Sequence, residues 1–344
     1  MGIALLTLVP GRMGGSETYV RELVHGLGRV GTLDYTVLAP PLAPDAGGPL
    51  PTKVAKAYGS ATSTPSRLVA MSREAVRKGR LADADVVHYP LTIALPRVRA
   101  RTVVTLHDLQ HLDLPALFPR SDRAFRAVAW HRSLRGADRV IALSEFVRRR
   151  ALDTLDLDDA RVRVVHSGVD HARFHPGDEE REPFLLYPAR AWPHKNHAKL
   201  YDAFSRLRRE RPELRLVLTG GGEFGDVPDG VELRGLVSID ELASLYRRAS
   251  ALVFPSLYEG FGQPPLEAMA SGCPVACSNA AALPEIVGDA ARLFDPYDAA
   301  SIADGVRDVL ETPDEWRERG LARAAGFSWD ATARATEAVY RELL

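Results

Sequence analysis

Glu259-Gly260-Phe261-Gly262-Gln263-Pro264-Pro265-Leu266-Glu267 sets two carboxylates eight positions apart across a glycine-containing turn. The apolar run Ala251-Leu252-Val253-Phe254-Pro255 immediately before it has the length of a buried strand. Pro264 and Pro265 suit the first turn of a helix, where a missing N–H costs nothing. The amides of Phe261, Gly262 and Gln263 then lie at the positive end of that helix, where an anion binds. A diphosphate on those amides, with each carboxylate accepting a hydrogen bond from a sugar hydroxyl, is the chemistry this spacing offers. A tight turn carrying two surface glutamates is the plainer reading, and a lone E-x7-E pattern does not decide between them.

Outward from this stretch, short apolar runs alternate with amphipathic ones, the pattern of parallel sheets covered by helices. Strands are expected at 3–9, 35–39, 86–88, 103–106, 140–143 and 162–165, then at 184–187, 214–218, 231–233, 252–254, 274–277 and 292–294. The polar, Pro/Gly-bracketed segment 174–183 reads as a linker. The fold class expected is therefore α/β, with two doubly wound Rossmann-like domains facing each other across a cleft. They would span 1–175 and 176–327, with a C-terminal helix at 328–344. Residues 40–65, rich in Pro, Ala, Gly and Ser, read as a mobile loop rather than a packed element.

A chain of 344 residues exceeds one ordinary core, and 46% hydrophobic with 26% charged residues is ordinary for a soluble globular protein. No apolar run approaches the ~20 residues of a membrane span. The N-terminus lacks a basic n-region, so no signal peptide is read. Cys273 and Cys277, four apart on an expected strand, would have Cα atoms roughly 13 Å apart, too far for a disulfide. A cytoplasmic setting fits. Residues 1–175 carry 25 Lys+Arg against 17 Asp+Glu, leaving 19 against 28 for the remainder. The basic first half suits an anionic partner or peripheral contact with a membrane surface, the alternative being a solvated face that is merely basic. Nothing points to nucleic acid.

Four further blocks follow expected strands, where ligands of doubly wound sheets bind. Gly11-Arg12-Met13-Gly14-Gly15-Ser16 precedes a helical stretch, with glycines for close approach to a phosphate and Ser16 as the expected cap. It matches neither the G-x-G-x-x-G dinucleotide fingerprint nor a Walker A loop. Arg190 and Lys195 place two cations on a strand-exit loop, fit to neutralise a departing diphosphate. Only 5 of the 44 basic residues are lysines, which singles out Lys195. Gly220-Gly221-Gly222 allows close backbone approach to a nucleoside or phosphate. His107-Asp108 ends the fourth run, a structural position or a functional one; His107 with His111 has the i, i+4 spacing of a metal pair, without a third ligand. Asp83-Ala84-Asp85 and Asp156-Leu157-Asp158 match D-x-D formally but read as solvated loops. Arg120, Arg123, Arg126, Arg132 and Arg135 lie among Phe125, Val128, Trp130 and Leu134, a membrane-docking face or, preferably, a solvated basic helix side.

The Glu259–Glu267 stretch and Pro188-Ala189-Arg190-Ala191-Trp192-Pro193-His194-Lys195-Asn196 together resemble the signature of retaining, nucleotide-sugar-dependent glycosyltransferases of family 4 (glycosyl transferases group 1), which have the GT-B fold. The resemblance extends from Gly14-Gly15 to the helix near Trp329. It implies transfer of a hexose from a nucleotide-diphosphate sugar to an acceptor hydroxyl, with anomeric retention; with cations and amides available for the phosphates, no metal or other cofactor is expected. His107, Glu259, Arg190 and Lys195 would be catalytic. Gly14, Gly15, Gly220, Gly221, Phe261, Gly262, Gln263, Leu266 and Glu267 would hold the donor, Glu267 at the ribose. GDP-mannose is favoured slightly over UDP-hexoses; the acceptor could be a glycan, a lipid-linked glycan or a small molecule. Gln263 stands where relatives often carry an aliphatic residue, and Ser167 replaces a frequent Asn. No enzyme nucleophile is evident, which makes same-face attack the hypothesis and leaves a covalent intermediate as its alternative. Two other readings are a same-fold nucleotide-sugar 2-epimerase and a non-catalytic sugar-binding scaffold; the presence together of both glutamates, the Arg/Lys pair and His107 argues against the scaffold.

Overall fold

A computed structural model describes residues 1–56, 69, 81 and 83–344. The chain divides into two compact units, Met1–Gly168 with Trp329–Leu344, and Val169–Ser328. The segment 174–183 lies within the second unit.

The first unit is built on β1 (Gly2–Ala4), β2 (Thr36–Ala39), β3 (Thr52–Val54), β4 (Val86–Tyr89), β5 (Arg101–Leu106), β6 (Arg139–Ala142) and β7 (Val162–Val164). They form one parallel seven-stranded sheet in the order β3-β2-β1-β4-β5-β6-β7. The buried positions of its central strands are mostly aliphatic, because helices cover both faces of a parallel sheet, with His88, Tyr89 and Thr105 buried among them. The covering helices include α1 (Gly15–Val30), α2 (Gln110–Asp113), α3 (Arg120–Gly136) and α4 (Glu145–Leu155). Ser144 caps α4 by accepting the Val147 amide at 3.2 Å.

Two expectations fail here. Residues 40–65 are not simply a loop: β3 pairs with β2, and Ala43, Ala46 and Ala55 are buried. Three-residue edge strands among Pro and Gly leave no periodic signal, since pairing rather than side-chain pattern defines them. Residues 57–65 lie outside the described set. The first strand also ends sooner than 3–9. The Leu5 amide still bonds the Leu38 carbonyl, but the chain then turns, with Leu5, Leu6 and Leu8 at most 1% exposed. Burial kept the run apolar beyond the strand.

The last helix, α11 (Trp329–Arg341, the numbering running on from the second unit), packs against α1. A Cβ on Gly26 would meet the Trp329 carbonyl oxygen at 2.8 Å, so this approach requires glycine. Glu337 on α11 accepts from the Thr32 amide (2.7 Å), the Thr32 hydroxyl (2.6 Å), Tyr35 (2.5 Å) and Arg341 (2.8 Å).

The second unit holds a parallel six-stranded sheet in the order β10-β9-β8-β11-β12-β13. Its strands are β8 (Glu182–Pro188), β9 (Arg215–Thr219), β10 (Val231–Leu233), β11 (Ala249–Phe254), β12 (Val275–Ser278) and β13 (Arg292–Phe294). Its helices are α5 (His197–Glu210), α6 (Ile239–Arg248), α7 (Gln263–Ala270), α8 (Leu283–Val287), α9 (Ala299–Glu311) and α10 (Pro313–Ala324). Strand order reverses between β8 and β11, which lie side by side with Leu185 opposite Ala251 and Leu186 opposite Leu252. Cys277 is on β12 and Cys273 in the turn before it; both are buried free thiols. Among the described residues, no helix is long and apolar enough to cross a membrane.

Burial alone would raise the Glu337 carboxyl, but the hydrogen bonds from Thr32, Tyr35 and Arg341 outweigh it and hold the pKa at about 2, against an ordinary 4.5. A depressed carboxyl stabilises the fold above its unfolded pKa and loses that contribution as pH falls through the folded one. We expect Glu337→Gln to lose stability at pH 7 by up to about 3 kcal/mol, with the difference closing between about pH 5 and about pH 2. Urea unfolding across that range checks it; a pH-independent difference would refute the electrostatic origin.

Candidate functional site

In the second unit the chain leaves β8 and β11 in the same direction, so their exit loops run side by side at the point where strand order reverses. Backbone contacts join them: the Leu257 amide donates to the His194 carbonyl at 2.8 Å. Asn196 completes the join. It sits in the left-handed region (φ 62°, ψ 36°), which Asn tolerates, and its Nδ2 donates to the carbonyls of Pro255 (3.1 Å) and Pro296 (2.8 Å). Tyr187 donates to the Lys195 carbonyl at 2.7 Å. The loops are thereby fixed before their side chains do anything.

On this base Lys195 Nζ donates to Glu259 Oε1 at 2.5 Å, with the two side chains only 12% and 15% exposed. The ammonium also lies 5.4 Å from the Phe254 ring centre. Arg190 shares the β8 loop; its guanidinium lies 5.7 Å from the Trp192 ring, which is 43% exposed and lies 5.7 Å from the His194 ring at a 33° tilt. The glycine loop after β9 adjoins. Gly220 has φ 127°, and a Cβ there would meet the Ala189 carbonyl oxygen at 2.6 Å. Only glycine fits. The Ala191 amide donates to the Gly221 carbonyl at 3.1 Å, which ties this loop to the one carrying Arg190.

Beyond Glu259 the chain enters α7 with Gly262 as its cap at φ 111°, and Pro264 and Pro265 lie in the first turn. Gln263 is the first helical residue, so the amides here lie at the positive helix end. The Phe261 ring is buried edge-on to Phe327 at 6.1 Å, and Leu266 is fully buried. Their side chains are core; only their backbone belongs to the surface of the site. Glu267 is 7% exposed and accepts the Tyr246 hydroxyl at 3.1 Å. Burial pushes its carboxyl up to about 7, against which the Tyr246 bond acts.

In the first unit Gly14 caps α1 at φ 54°, and Gly15 begins the helix with open space where a Cβ would stand. Ser16 is not the cap, contrary to expectation: the positive φ of Gly14 turns the chain into the helix earlier, and Glu17 takes the Gly11 amide at 2.7 Å. His107 follows β5, half-buried, with Nε2 2.7 Å from the Pro90 carbonyl. A carbonyl only accepts, so Nε2 carries the proton and Nδ1 the lone pair. Burial lowers the imidazole pKa, opposed by the Pro90 bond and Asp108.

His107 and His111 do not converge. His111 turns toward Trp130 (5.3 Å) and Phe118 (6.5 Å), whereas His107 packs edge-on to Tyr19 at 5.1 Å. Among the described residues no group of three or more His, Cys, Asp or Glu could hold a metal ion. In the second D-x-D match Asp158 caps a short 3-10 turn through the Ala160 amide, and Asp156 is the left-handed residue ending α4. On α3, Arg126 lies over Phe118 and Trp130 and pairs with Asp122, leaving Val128 68% exposed. Asn196 and Tyr246 were missed from the sequence. An Asn preceding a helical stretch hinted at the first; Tyr246, on a different helix from Glu267, left no spacing signal.

Two family models cover most of the chain: "Glycosyltransferase Family 4" matches residues 13–173 and "Glycosyl transferases group 1" residues 169–324. O-antigen chain mannosyltransferase B of Escherichia coli is 31% identical over 286 residues, 75% of either chain. D-inositol 3-phosphate glycosyltransferase of Frankia alni is 34% identical over 279 residues, 70% of this chain and 68% of that one. Among solved structures, sucrose-phosphate synthase from Thermosynechococcus elongatus superposes with a TM-score of 0.77 at 23% identity, over 100% of this chain and 99% of that one.

The raised Glu267 carboxyl makes a further prediction. A carboxyl whose pKa rises on folding from 4.5 to about 7 favours the fold below its unfolded pKa and loses that contribution as pH rises through the folded value. Glu267→Gln is therefore expected to raise the stability of the ligand-free protein at pH 8 by up to about 3 kcal/mol and to leave it little changed at pH 4. Melting curves at both pH values check this; destabilisation at pH 8 would show that the buried carboxylate is already compensated.

Proposed function

This chain belongs to glycosyltransferase family 4, within the glycosyl transferases group 1, and from that we propose that it transfers mannose from GDP-mannose to a hydroxyl of a glycan acceptor. The family is one of retaining glycosyltransferases with the GT-B fold. The observation that carries the site assignment is the Lys195–Glu259 pair, held at the strand-order reversal beside Arg190. Likeness to the E. coli mannosyltransferase supports the choice of sugar.

As the bond from the sugar's C1 to the diphosphate oxygen breaks, positive charge grows on the ring and negative charge on the leaving group. Arg190 and Lys195 stabilise the leaving diphosphate, together with the amides of Phe261, Gly262 and Gln263 at the α7 terminus and the close approach that Gly220 and Gly221 permit. Two cations and a helix end supply the charge that a divalent ion would otherwise bring, and the reaction is assigned as metal-independent. Glu259, aligned by Lys195, accepts from sugar hydroxyls, and Glu267 binds the ribose. In the first unit Gly14 and Gly15 present open backbone to phosphate, and His107 offers the Nδ1 lone pair to a sugar hydroxyl. Same-face attack is preferred, with no side chain assigned as nucleophile. The net basic charge of residues 1–175 suits peripheral contact with an anionic membrane at its cytoplasmic face, where a lipid-linked acceptor would be met.

A ligand specific for the native state raises the melting temperature by mass action. Titration with GDP, UDP, TDP and ADP, in EDTA and then with Mg2+, is expected to give the largest shift with GDP, unchanged by the metal. Lys195→Ala and Glu259→Ala, shown to be folded by circular dichroism, should each lower turnover by roughly 100-fold or more. Near-wild-type transfer by either variant would remove it from the mechanism. Loss of donor by isomerisation without acceptor, seen by NMR, would replace transfer by epimerisation.

A further inference from the structure

We propose that Tyr340, His88 and Thr105 are positioning residues for His107, forming a buried hydrogen-bonded chain that seats Tyr19 against the His107 ring. The proposal rests on the role given to His107 above, and lies wholly within the first unit. His88 on β4 and Thr105 on β5 are both 0% exposed. His88 Nδ1 lies 2.7 Å from the Tyr340 hydroxyl, and Nε2 lies 2.8 Å from Thr105 Oγ1. Thr105 Oγ1 is in turn 3.4 Å from the Tyr19 hydroxyl, and the Tyr19 ring meets His107 edge-on at 5.1 Å and 86°. The same strands provide the second hold on His107. The Pro90 carbonyl that takes Nε2 lies just past the end of β4, and Thr92 just beyond it donates to the Thr105 carbonyl at 2.8 Å.

The neighbouring sheet positions show what plain core would look like. Val86, Val87, Val103, Val104 and Leu106 are all buried and aliphatic. Placing an imidazole and a threonine hydroxyl among them, with the phenols of Tyr19 and Tyr340 brought in from α1 and α11, costs desolvation at each polar atom. A fully connected polar network is worth that cost when one arrangement must be specified over others. Burial keeps His88 neutral, its pKa pushed down to about 3, so the ring has one donor and one acceptor and satisfies both neighbours at once. The chain begins at Tyr340 on α11, so the last helix of the sequence determines the setting of a residue that follows β5. Trp329, at the start of the same helix, adds an edge contact to Tyr19 at 6.0 Å.

The test uses full-length protein labelled with 15N-histidine, the His107 ring signals being assigned by their loss in His107→Gln. Thr105→Val removes the hydroxyl at nearly constant volume, Thr105→Ser keeps it, and Tyr340→Phe removes one oxygen from the far end. Thr105→Val and Tyr340→Phe are expected to shift the His107 ring signals and to lower kcat about tenfold with the donor KM unchanged, as for a misplaced reacting group. Thr105→Ser should restore both. Variants that melt earlier but leave the His107 signals and kcat where they were would overturn the proposal and reduce the chain to core packing. If Thr105→Val does not fold, Tyr340→Phe decides by the same two readouts. His107→Ala separates the two levels of the argument: full turnover in that variant would defeat the role of His107, while the ring signals still decide whether the chain positions it.

Discussion

The reversal of strand order between β8 and β11 is the constraint on which the second unit's site depends. Two parallel strands that are neighbours in the sheet but distant in sequence must deliver their exit loops to one place. There Lys195 and Glu259, 64 positions apart, meet as an ion pair with little exposure. A pair so far removed from water contributes little net stability, because desolvation takes back most of the Coulombic gain. Its value lies in orientation. Asn196 and the Leu257–His194 contact hold the two backbones together, so the two charges meet on loops already fixed in place.

Around this pair the chain holds glycine-specific backbone and one buried carboxyl. Gly220 and Gly262 hold backbone conformations that other residues rarely adopt, and Glu267 is a carboxyl kept out of water that accepts the Tyr246 phenol. The glycines suit their positive φ, whereas the buried carboxyl departs from what stability alone would select.

The first unit follows the same logic with neutral groups. Within the mostly aliphatic buried part of its sheet, His88 and Thr105 link α11 to the strand end that bears His107. Glu337, gathering donors from Thr32, Tyr35 and Arg341, anchors the same helix. The C-terminal segment is thus an integral part of the first unit's core, attached by both apolar packing and buried polar contacts.

Much of this was legible from residues alone. Twelve of the strands appear where aliphatic runs sit between turn residues, since a parallel strand buried on both faces must be apolar along its whole length. Helix α7 with prolines in its first turn, the glycine turn before it and the family were likewise carried by local motifs. Thr52–Val54 was not, because a short edge strand exists only through its partner's hydrogen bonds. Nor was the Lys195–Glu259 pairing, the Tyr246–Glu267 contact or the chain from Tyr340 to His107. Local sequence determines propensity, turn chemistry and burial pattern, whose physical causes lie within a few residues. Which distant side chains meet, in what protonation state and at what exposure, is decided only when the sheets bring separate strand ends together and exclude water from between them.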